Sequence, residues 1–316
     1  MSGLCDEQAT VSNTALQGIE LPQSPSGWLC GAAPPQPEDF GPGFTLPGHS
    51  IRLLQELHKH PLDIRISFFA EGHRYEIDGV PTLGSVTGLV HAFSHDFDPD
   101  IAIEKMINSQ RWPRAEYMNL DGSVMTRTEI KDKWTDNGRV SANHGTWVHF
   151  LFELYLNREI VTSQCVEFRL FLQFIACLIG CKAYRTEWEI FSEEERLAGS
   201  IDFVATAPNG SLIIIDWKRT KLLRTKYENT FQCMKSPLSH LSDCKGIQYR
   251  LQLNVYKYIL EKQYGFRISE MYVVCVHPDV GEAPFVDVVP DMEDEVSKMM
   301  SWQRERVVVE SKRSMC

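Results

Sequence analysis

Asp216 and Lys218 stand two positions apart at the end of the apolar run LIIIDWK. Side chains alternate between the two faces of a β-strand, so the carboxylate and the ammonium group are predicted to share one face. An unpaired carboxylate in an isoleucine-rich strand is energetically costly, and it requires either an ion pair or a bound cation nearby. The residues alone leave both alternatives open.

A second carboxylate, Asp202, lies in the preceding strand-like run. The turn residues Asn209 and Gly210 predict a tight hairpin that brings this run beside Asp216. Magnesium prefers oxygen ligands and retains several waters, so two carboxylates and a backbone carbonyl would leave positions for a phosphate and an attacking water. Lys218 would orient that water or offset charge that develops on the phosphate.

Two helices are predicted to add polar groups to the same place. His149 and Glu153 are four residues apart, so they lie on one helix face, and an imidazole ligand would shift the preference toward manganese. Gln248, Gln252 and Tyr256 form a polar stripe on an otherwise apolar helix, and this stripe is predicted to face something polar, for example the catalytic pocket.

The periodicity of the remaining sequence predicts the elements that position these groups. A hairpin is expected around Gly72 and Gly79, followed by helices that include Thr128 to Trp134 and, separately, Ser141 to Asn157. Three strand-like runs begin at Tyr184 and form an antiparallel meander; a helix from Ile247 to Tyr264 and a further strand follow. The predicted fold class is therefore α/β, with a mixed central sheet flanked by helices.

Composition divides the chain into four predicted regions. Residues 1–48 form a disordered tail rich in Pro and Gly, and residues 49–140 form an accessory region of hairpin and helices. Residues 141–290 form the core domain, and residues 291–316 form a C-terminal helix or tail. A hydrophobic content of 43% is sufficient for a packed core, and no apolar run approaches the roughly 20 residues of a membrane span.

In their order along the chain, four segments resemble the motifs of RecB-like nucleases in the PD-(D/E)XK superfamily: HGTWVHFLFE, GSIDFV, DWK and YRLQLNVY. The resemblance is closest to the branch of phage, large-virus and mitochondrial genome maintenance exonucleases, and it implies a restriction-endonuclease-like core. The metal ligands that it implies are His149, Asp202, Asp216 and the carbonyl of Trp217. The catalytic residues that it implies are Asp202, Asp216, Lys218, Gln252 and Tyr256, with Glu153 and Glu187 in a less certain supporting role.

The expected cofactor is Mg²⁺ or Mn²⁺. An iron-sulfur cluster, which many relatives hold through a downstream cysteine triplet, is not expected because the nine cysteines lack that spacing. The net charge of -10 repels a phosphate backbone, so DNA contact requires a local basic surface. That surface is predicted at Arg219, Lys221, Arg224 and Lys226, although a solvated basic face is the simpler alternative.

The predicted function is metal-dependent cleavage of DNA, as an exonuclease on single strands or ends, in replication, repair or recombination. One alternative is a catalytically silent module that binds DNA or a protein partner, and another is a zinc hydrolase built on the His149–Glu153 helix face. The start of the chain lacks a secretory signal and has no Lys or Arg before Arg52. Nucleus or cytoplasm is therefore expected rather than mitochondrion, without membrane association.

Overall fold

The computed structural model describes residues 19, 40–42, 44–46, 52–161, 163–220, 223, 227–229 and 231–313. The disordered tail predicted for residues 1–48 lies almost wholly outside these ranges. Three of the four predicted phosphate-binding residues, Lys221, Arg224 and Lys226, also lie outside them. Among the described residues, no helix combines the length and the apolar composition needed to cross a bilayer.

The N-terminal described region contains the predicted hairpin, which is confirmed. The elements of this region are α1 (Leu53–Leu57), β1 (Ile66–Phe69), β2 (Arg74–Ile77), β3 (Val80–Pro81), β4 (Gly84–Ser85), α2 (Val86–Ala92) and α3 (Pro99–Ile107). The hairpin strands pair antiparallel in the order β1, β2, β3, and the turn between β1 and β2 contains Gly72 with a φ of 78°. Glycine adopts such a backbone conformation more readily than other residues.

A single long helix, α4 (Arg127–Leu156), follows, so the prediction of two separate helices is wrong. Thr126 and Glu129 form a capping box at its start. Gly138, which stands between the two predicted helices, lies inside α4, and a helical glycine costs only about 1 kcal/mol relative to alanine. Burial of apolar side chains such as Val148 and Phe152 offsets that cost in the second half of the helix.

The central sheet confirms the predicted mixed α/β class. The elements that follow α4 are α5 (Val166–Cys177), β5 (Lys182–Ser192), β6 (Leu197–Thr206), β7 (Leu212–Lys218), α6 (Lys245–Lys262), β8 (Ile268–Cys275), β9 (Phe285–Val288) and α7 (Glu293–Arg313). The sheet contains the predicted meander, in which β6 pairs antiparallel with both β5 and β7, and β8 lies parallel to β7 after the intervening helix α6. Two strands that were not predicted extend the sheet, β4 beside β6 and β9 beside β8.

The sheet separates two apolar layers. Phe203 and Trp217 point toward α4 and α5, where they meet Phe152 and Phe171. The opposite face packs against α2 and α6, and α7 in turn packs onto α6 with buried side chains that include Met299. The boundary predicted at residue 290 between core and C-terminal region stays a prediction.

Candidate active site

The candidate site lies where two strands diverge along one edge of β6. β4 pairs with β6 as far as Ala198, whereas β7 pairs with it from Phe203 onward. Residues 199–202 therefore line the gap between the two neighbouring strands. Asp202 occupies the end of this gap, and its Oδ2 accepts a hydrogen bond of 2.8 Å from the backbone N–H of Trp217 in β7. This bond holds the Asp202 carboxylate at the point of divergence.

His149 reaches the same point from α4. Its Nδ1 lies 3.6 Å from Asp202 Oδ2 and 3.9 Å from Glu187 Oε1, and its Nε2 lies 3.1 Å from the carbonyl oxygen of Trp217. One potential ligand atom from each of His149, Glu187 and Asp202 lies within 4.8 Å of the other two. Burial lowers the pKa of His149, which leaves the imidazole neutral and able to donate a lone pair.

Asp216 and Lys218 form a buried ion pair beside this cluster. Lys218 Nζ lies 2.5 Å from Asp216 Oδ2, and only 3% of the Asp216 side chain is exposed. Burial raises the pKa of Asp216, Lys218 opposes that rise, and the negative charge of Asp202 adds to it. The sequence left open whether an ion pair or a bound cation compensates the Asp216 carboxylate, and the structure contains the ion pair. The Asp202 carboxylate nearby adds negative charge that a bound cation would also offset.

Glu187 is placed in the site by an unusual backbone. This residue of β5 has a φ of 42°, in the left-handed region that side chains other than glycine rarely occupy. Ser200 donates a hydrogen bond of 3.3 Å to its carboxylate. Burial, followed by the charges of Asp202 and Glu153, raises the pKa of Glu187. Strained backbone of this kind is common at functional sites and therefore supports Glu187 as a candidate metal ligand.

Glu153, the other residue given a supporting role, is not part of the cluster formed by His149, Glu187 and Asp202. Burial raises the pKa of Glu153 to about 7. The structure therefore places it one helical turn from His149 as a carboxyl group that is easily protonated. Its position does not support a zinc site built on His149 and Glu153 together.

The predicted polar stripe on α6 divides into two parts. Gln252 Nε2 donates a hydrogen bond of 3.1 Å to the hydroxyl of Tyr256, and the buried Tyr256 ring packs against Gly199. A Cβ added at Gly199 would lie 2.8 Å from Tyr256 Cε1, so glycine is required there for space. Gln248 instead bonds to Ser94 and Asp243, so the stripe faces polar groups as predicted, but for this residue they are not those of the site.

Tyr249 is a site residue that the sequence reasoning missed. The ammonium group of Lys218 lies over the Tyr249 ring, 4.9 Å from its centroid, and makes a cation–π interaction with it. Lys218 is thus held between the Asp216 carboxylate and an aromatic face. Tyr249 lies three residues before Gln252 on α6, and this helical spacing was the available signal.

Arg219 is the one predicted phosphate-binding residue that the structure describes. Its Nε donates a hydrogen bond of 2.9 Å to Glu167, whose side chain is 4% exposed and also lies near His144. Arg219 therefore has a buried acidic partner. A contact of Arg219 with DNA stays a prediction, as it does for Lys221, Arg224 and Lys226.

The donor set suits a hard divalent cation. Carboxylate oxygens with one imidazole nitrogen are ligands for magnesium and manganese, and a soft thiolate is not part of the cluster among the described residues. Burial raises the pKa of Glu187 and of Asp216, and the negative charge of Asp202 adds to both shifts, so a bound cation would offset charge that is held away from water. The residues present therefore fit the metal that the fold class implies.

The fold is a mixed α/β sheet in which acidic groups, an imidazole and a lysine meet where two strands diverge, an arrangement suited to holding a divalent ion. The family model of the PD-(D/E)XK nuclease superfamily matches residues 142–312, which is more than half of the chain. The chain belongs to the PD-(D/E)XK nuclease superfamily.

The chain is similar to a solved structure titled "Crystal structure of SSO0001", with 16% sequence identity and a TM-score of 0.27 over 57% of this chain and 69% of that one. This likeness carries no argument about function. No curated protein matches the chain.

Proposed function

We propose that this protein is a deoxyribonuclease that hydrolyses phosphodiester bonds with Mg²⁺ or Mn²⁺. The observation that carries the proposal is the convergence of His149, Glu187 and Asp202 beside the Asp216–Lys218 pair, within the fold of a nuclease superfamily. The silent binding module is less favoured, because a protein without catalysis has no need for three clustered carboxylates of which only Asp216 has a lysine partner among the described residues.

In this proposal the metal is held by His149, Asp202 and Asp216 with the carbonyl of Trp217, the set that the family resemblance implies. Glu187 joins them because its carboxylate faces His149 and Asp202. When bound, a divalent ion polarises a phosphate oxygen and lowers the pKa of a bound water. The hydrogen bond from the Trp217 N–H fixes the Asp202 carboxylate, so this ligand is already oriented before metal binds.

Lys218 has the position required of a group that assists attack on phosphorus. Asp216 and the Tyr249 ring contact its ammonium group. Burial lowers the pKa of Lys218, but the negative charges of Asp216 and Asp202 outweigh burial, so the pKa is raised. Lys218 therefore stays protonated and acts as a fixed positive charge. In that state it donates hydrogen bonds to the attacking water or to the phosphate and does not act as a general base.

We further propose an exonuclease that acts on single strands or DNA ends, in replication, repair or recombination. Support comes from the order of the four motifs, which is that of the RecB-like branch containing phage, large-virus and mitochondrial exonucleases.

The decisive experiment is digestion of end-labelled linear single-stranded DNA, blunt duplex and circular single-stranded DNA in Mg²⁺, Mn²⁺, Zn²⁺ or EDTA. The proposal predicts cleavage of linear single strands with Mg²⁺ or Mn²⁺ only, and its loss in Asp202→Asn. The exposed Glu305 provides a matched control, and Glu305→Gln should retain full activity. Binding without cleavage would identify the silent module, whereas Zn²⁺-dependent cleavage that survives Lys218→Met would identify the zinc hydrolase.

A further inference from the structure

A groove opens beside the candidate site, between the β1–β2 hairpin and the segment that enters α2. Its volume is about 600 Å³, and its walls include Phe69, Arg74 and Tyr75 on the hairpin side and Thr82 and Ser85 on the other. The Ser85 hydroxyl accepts a hydrogen bond from the N–H of Gly88 and so caps the start of α2. The groove therefore lies between a β-hairpin and a capped helix.

This groove lies near the proposed active site, along the same strand. Ser85, which lines the groove, pairs with Ala198 in β6, and Asp202 lies four residues further along that strand, about 13 Å away at ~3.3 Å per residue. Val86, the next residue, lies against Gly199, where a Cβ would be 3.1 Å from its Cγ2. On the other wall, the charges of Glu189 and Glu187 act on Tyr75. A strand that leaves the site along β6 would enter the groove.

The chemistry of the hairpin wall is that of a stacking platform. Phe69 is 40% exposed although it is a large apolar side chain, and the Arg74 guanidinium lies 5.1 Å from the centroid of its ring. Aromatic rings beside arginine are the groups on which proteins stack the bases of single-stranded nucleic acids. Glu71 also lines the groove, and Arg74 lies 3.9 Å from Glu76, so positive charge is largely balanced there. Base stacking, not phosphate attraction, is the contact that this wall offers.

We propose that the groove binds the single strand of DNA next to the scissile phosphate, with a base stacked on Phe69 and its flank covered by Arg74. This inference rests on the proposed nuclease function, because the occupant is the strand that the active site holds. It assigns the accessory hairpin to substrate binding. A base pair inside a duplex is covered on both faces by its neighbours and cannot stack on Phe69, so the groove favours single strands over duplex.

The test measures binding of fluorescein-labelled oligodeoxythymidylate and of a blunt duplex by fluorescence anisotropy, with Ca²⁺ in place of Mg²⁺. Phe69→Ala should raise the Kd for the single strand about 5- to 100-fold, the range measured for loss of one base–aromatic stack, with little effect on the duplex. Phe69→Trp should restore binding. Phe97→Ala removes a phenylalanine that is 72% exposed outside the groove and serves as the matched control.

A parallel digestion assay separates this proposal from the nuclease proposal. Phe69→Ala should raise KM for single strands while kcat remains near that of the parent protein, because Phe69 does not touch the metal cluster. If Asp202-dependent cleavage is present but Phe69→Ala binds and cuts like Phe97→Ala, the groove assignment is wrong and the nuclease proposal stands. Phe69-dependent binding without cleavage under any metal would support the groove assignment and overturn the nuclease proposal. Undetectable binding of the single strand would overturn the groove assignment.

Discussion

The contact between Gly199 and Tyr256 gives a quantitative test of how the site is packed. In Gly199→Ala the new Cβ would lie 2.8 Å from Tyr256 Cε1 and 3.1 Å from Val86 Cγ2. Tyr256 is 2% exposed and Val86 is fully buried, so neither can move into solvent. Overpacking of this kind costs about 1–3 kcal/mol. The Gln252–Tyr256 hydrogen bond, which any shift of the ring disturbs, contributes about 1 kcal/mol more.

Two effects of opposite sign set the net value. Alanine in a strand gains about 0.5–1 kcal/mol over glycine because it loses less conformational freedom on folding. The expected loss for Gly199→Ala is therefore about 1–3 kcal/mol in the free energy of unfolding, measured by urea denaturation. The control is Gly138→Ala in α4, where the added Cβ meets no atom within 4 Å, and stability should rise by up to about 1 kcal/mol.

A double-mutant cycle shows whether the loss arises at Tyr256. In a Tyr256→Leu background the ring atoms that approach Gly199 are absent, so Gly199→Ala should cost at least about 1 kcal/mol less than in the parent protein. The activity of Gly199→Ala should also fall through kcat, because the displaced Tyr256 lines the gap that contains Asp202. An equal cost in both backgrounds would refute the proposed contact, as would a Gly199→Ala variant as stable as Gly138→Ala.

Three further predictions concern charge. Tyr249→Leu removes the aromatic face beside Lys218, and the loss of a cation–π contact of about 1–2 kcal/mol should lower kcat about 5- to 30-fold with little change in KM. Tyr249→Phe keeps the aromatic ring and should retain activity. Equal losses of kcat in both variants would contradict this role for Tyr249. Burial favours a raised pKa for Glu195, but hydrogen bonds from Ser192, Tyr258 and Arg304 outweigh it and lower that pKa. The ionised Glu195 therefore stabilises the fold above its unfolded pKa of about 4.5, and this stabilisation is lost as pH falls through the lower pKa of the folded state. Glu195→Gln should lower the free energy of unfolding by about 2–4 kcal/mol at pH 7 and by much less in acid, as measured by urea denaturation. A loss that does not change with pH would exclude this account. Saturating Mn²⁺, at 100 times its Kd, should stabilise the parent protein by about 2.7 kcal/mol in thermal unfolding and Asp202→Asn far less; equal stabilisation would place the ion elsewhere.

Local patterns predicted the elements that carry the site. Alternation in LIIIDWK placed Asp216 and Lys218 on one face, and the Asn209–Gly210 turn placed Asp202 in the neighbouring strand, as the structure has them. Both predictions depend on one strand and its nearest turn. Such short-range features are encoded by side-chain period and turn chemistry, so sequence alone was sufficient for them.

Features decided by tertiary contacts were not predictable in the same way. Burial of the second half of α4 keeps the helix continuous through Gly138, and helical propensity alone does not include that burial. Tyr249 belongs to the site because Lys218, on another element, lies against its ring. Gln248 does not bond to the site residues because Ser94 and Asp243 are its hydrogen-bond partners. The left-handed backbone of Glu187 has no signal in a sequence that reads as a regular strand.

The central claim is that His149, Glu187, Asp202 and Asp216 surround one divalent ion beside Lys218. A crystal soaked in Mn²⁺ and measured at the manganese absorption edge tests it directly. The account predicts an anomalous peak within ligand distance, about 2.0–2.3 Å, of His149 and Asp202 and in contact with the Trp217 carbonyl. It also predicts that this peak disappears in Asp202→Asn. A peak elsewhere, or an empty cluster with the Asp216–Lys218 pair intact at saturating Mn²⁺, would contradict it.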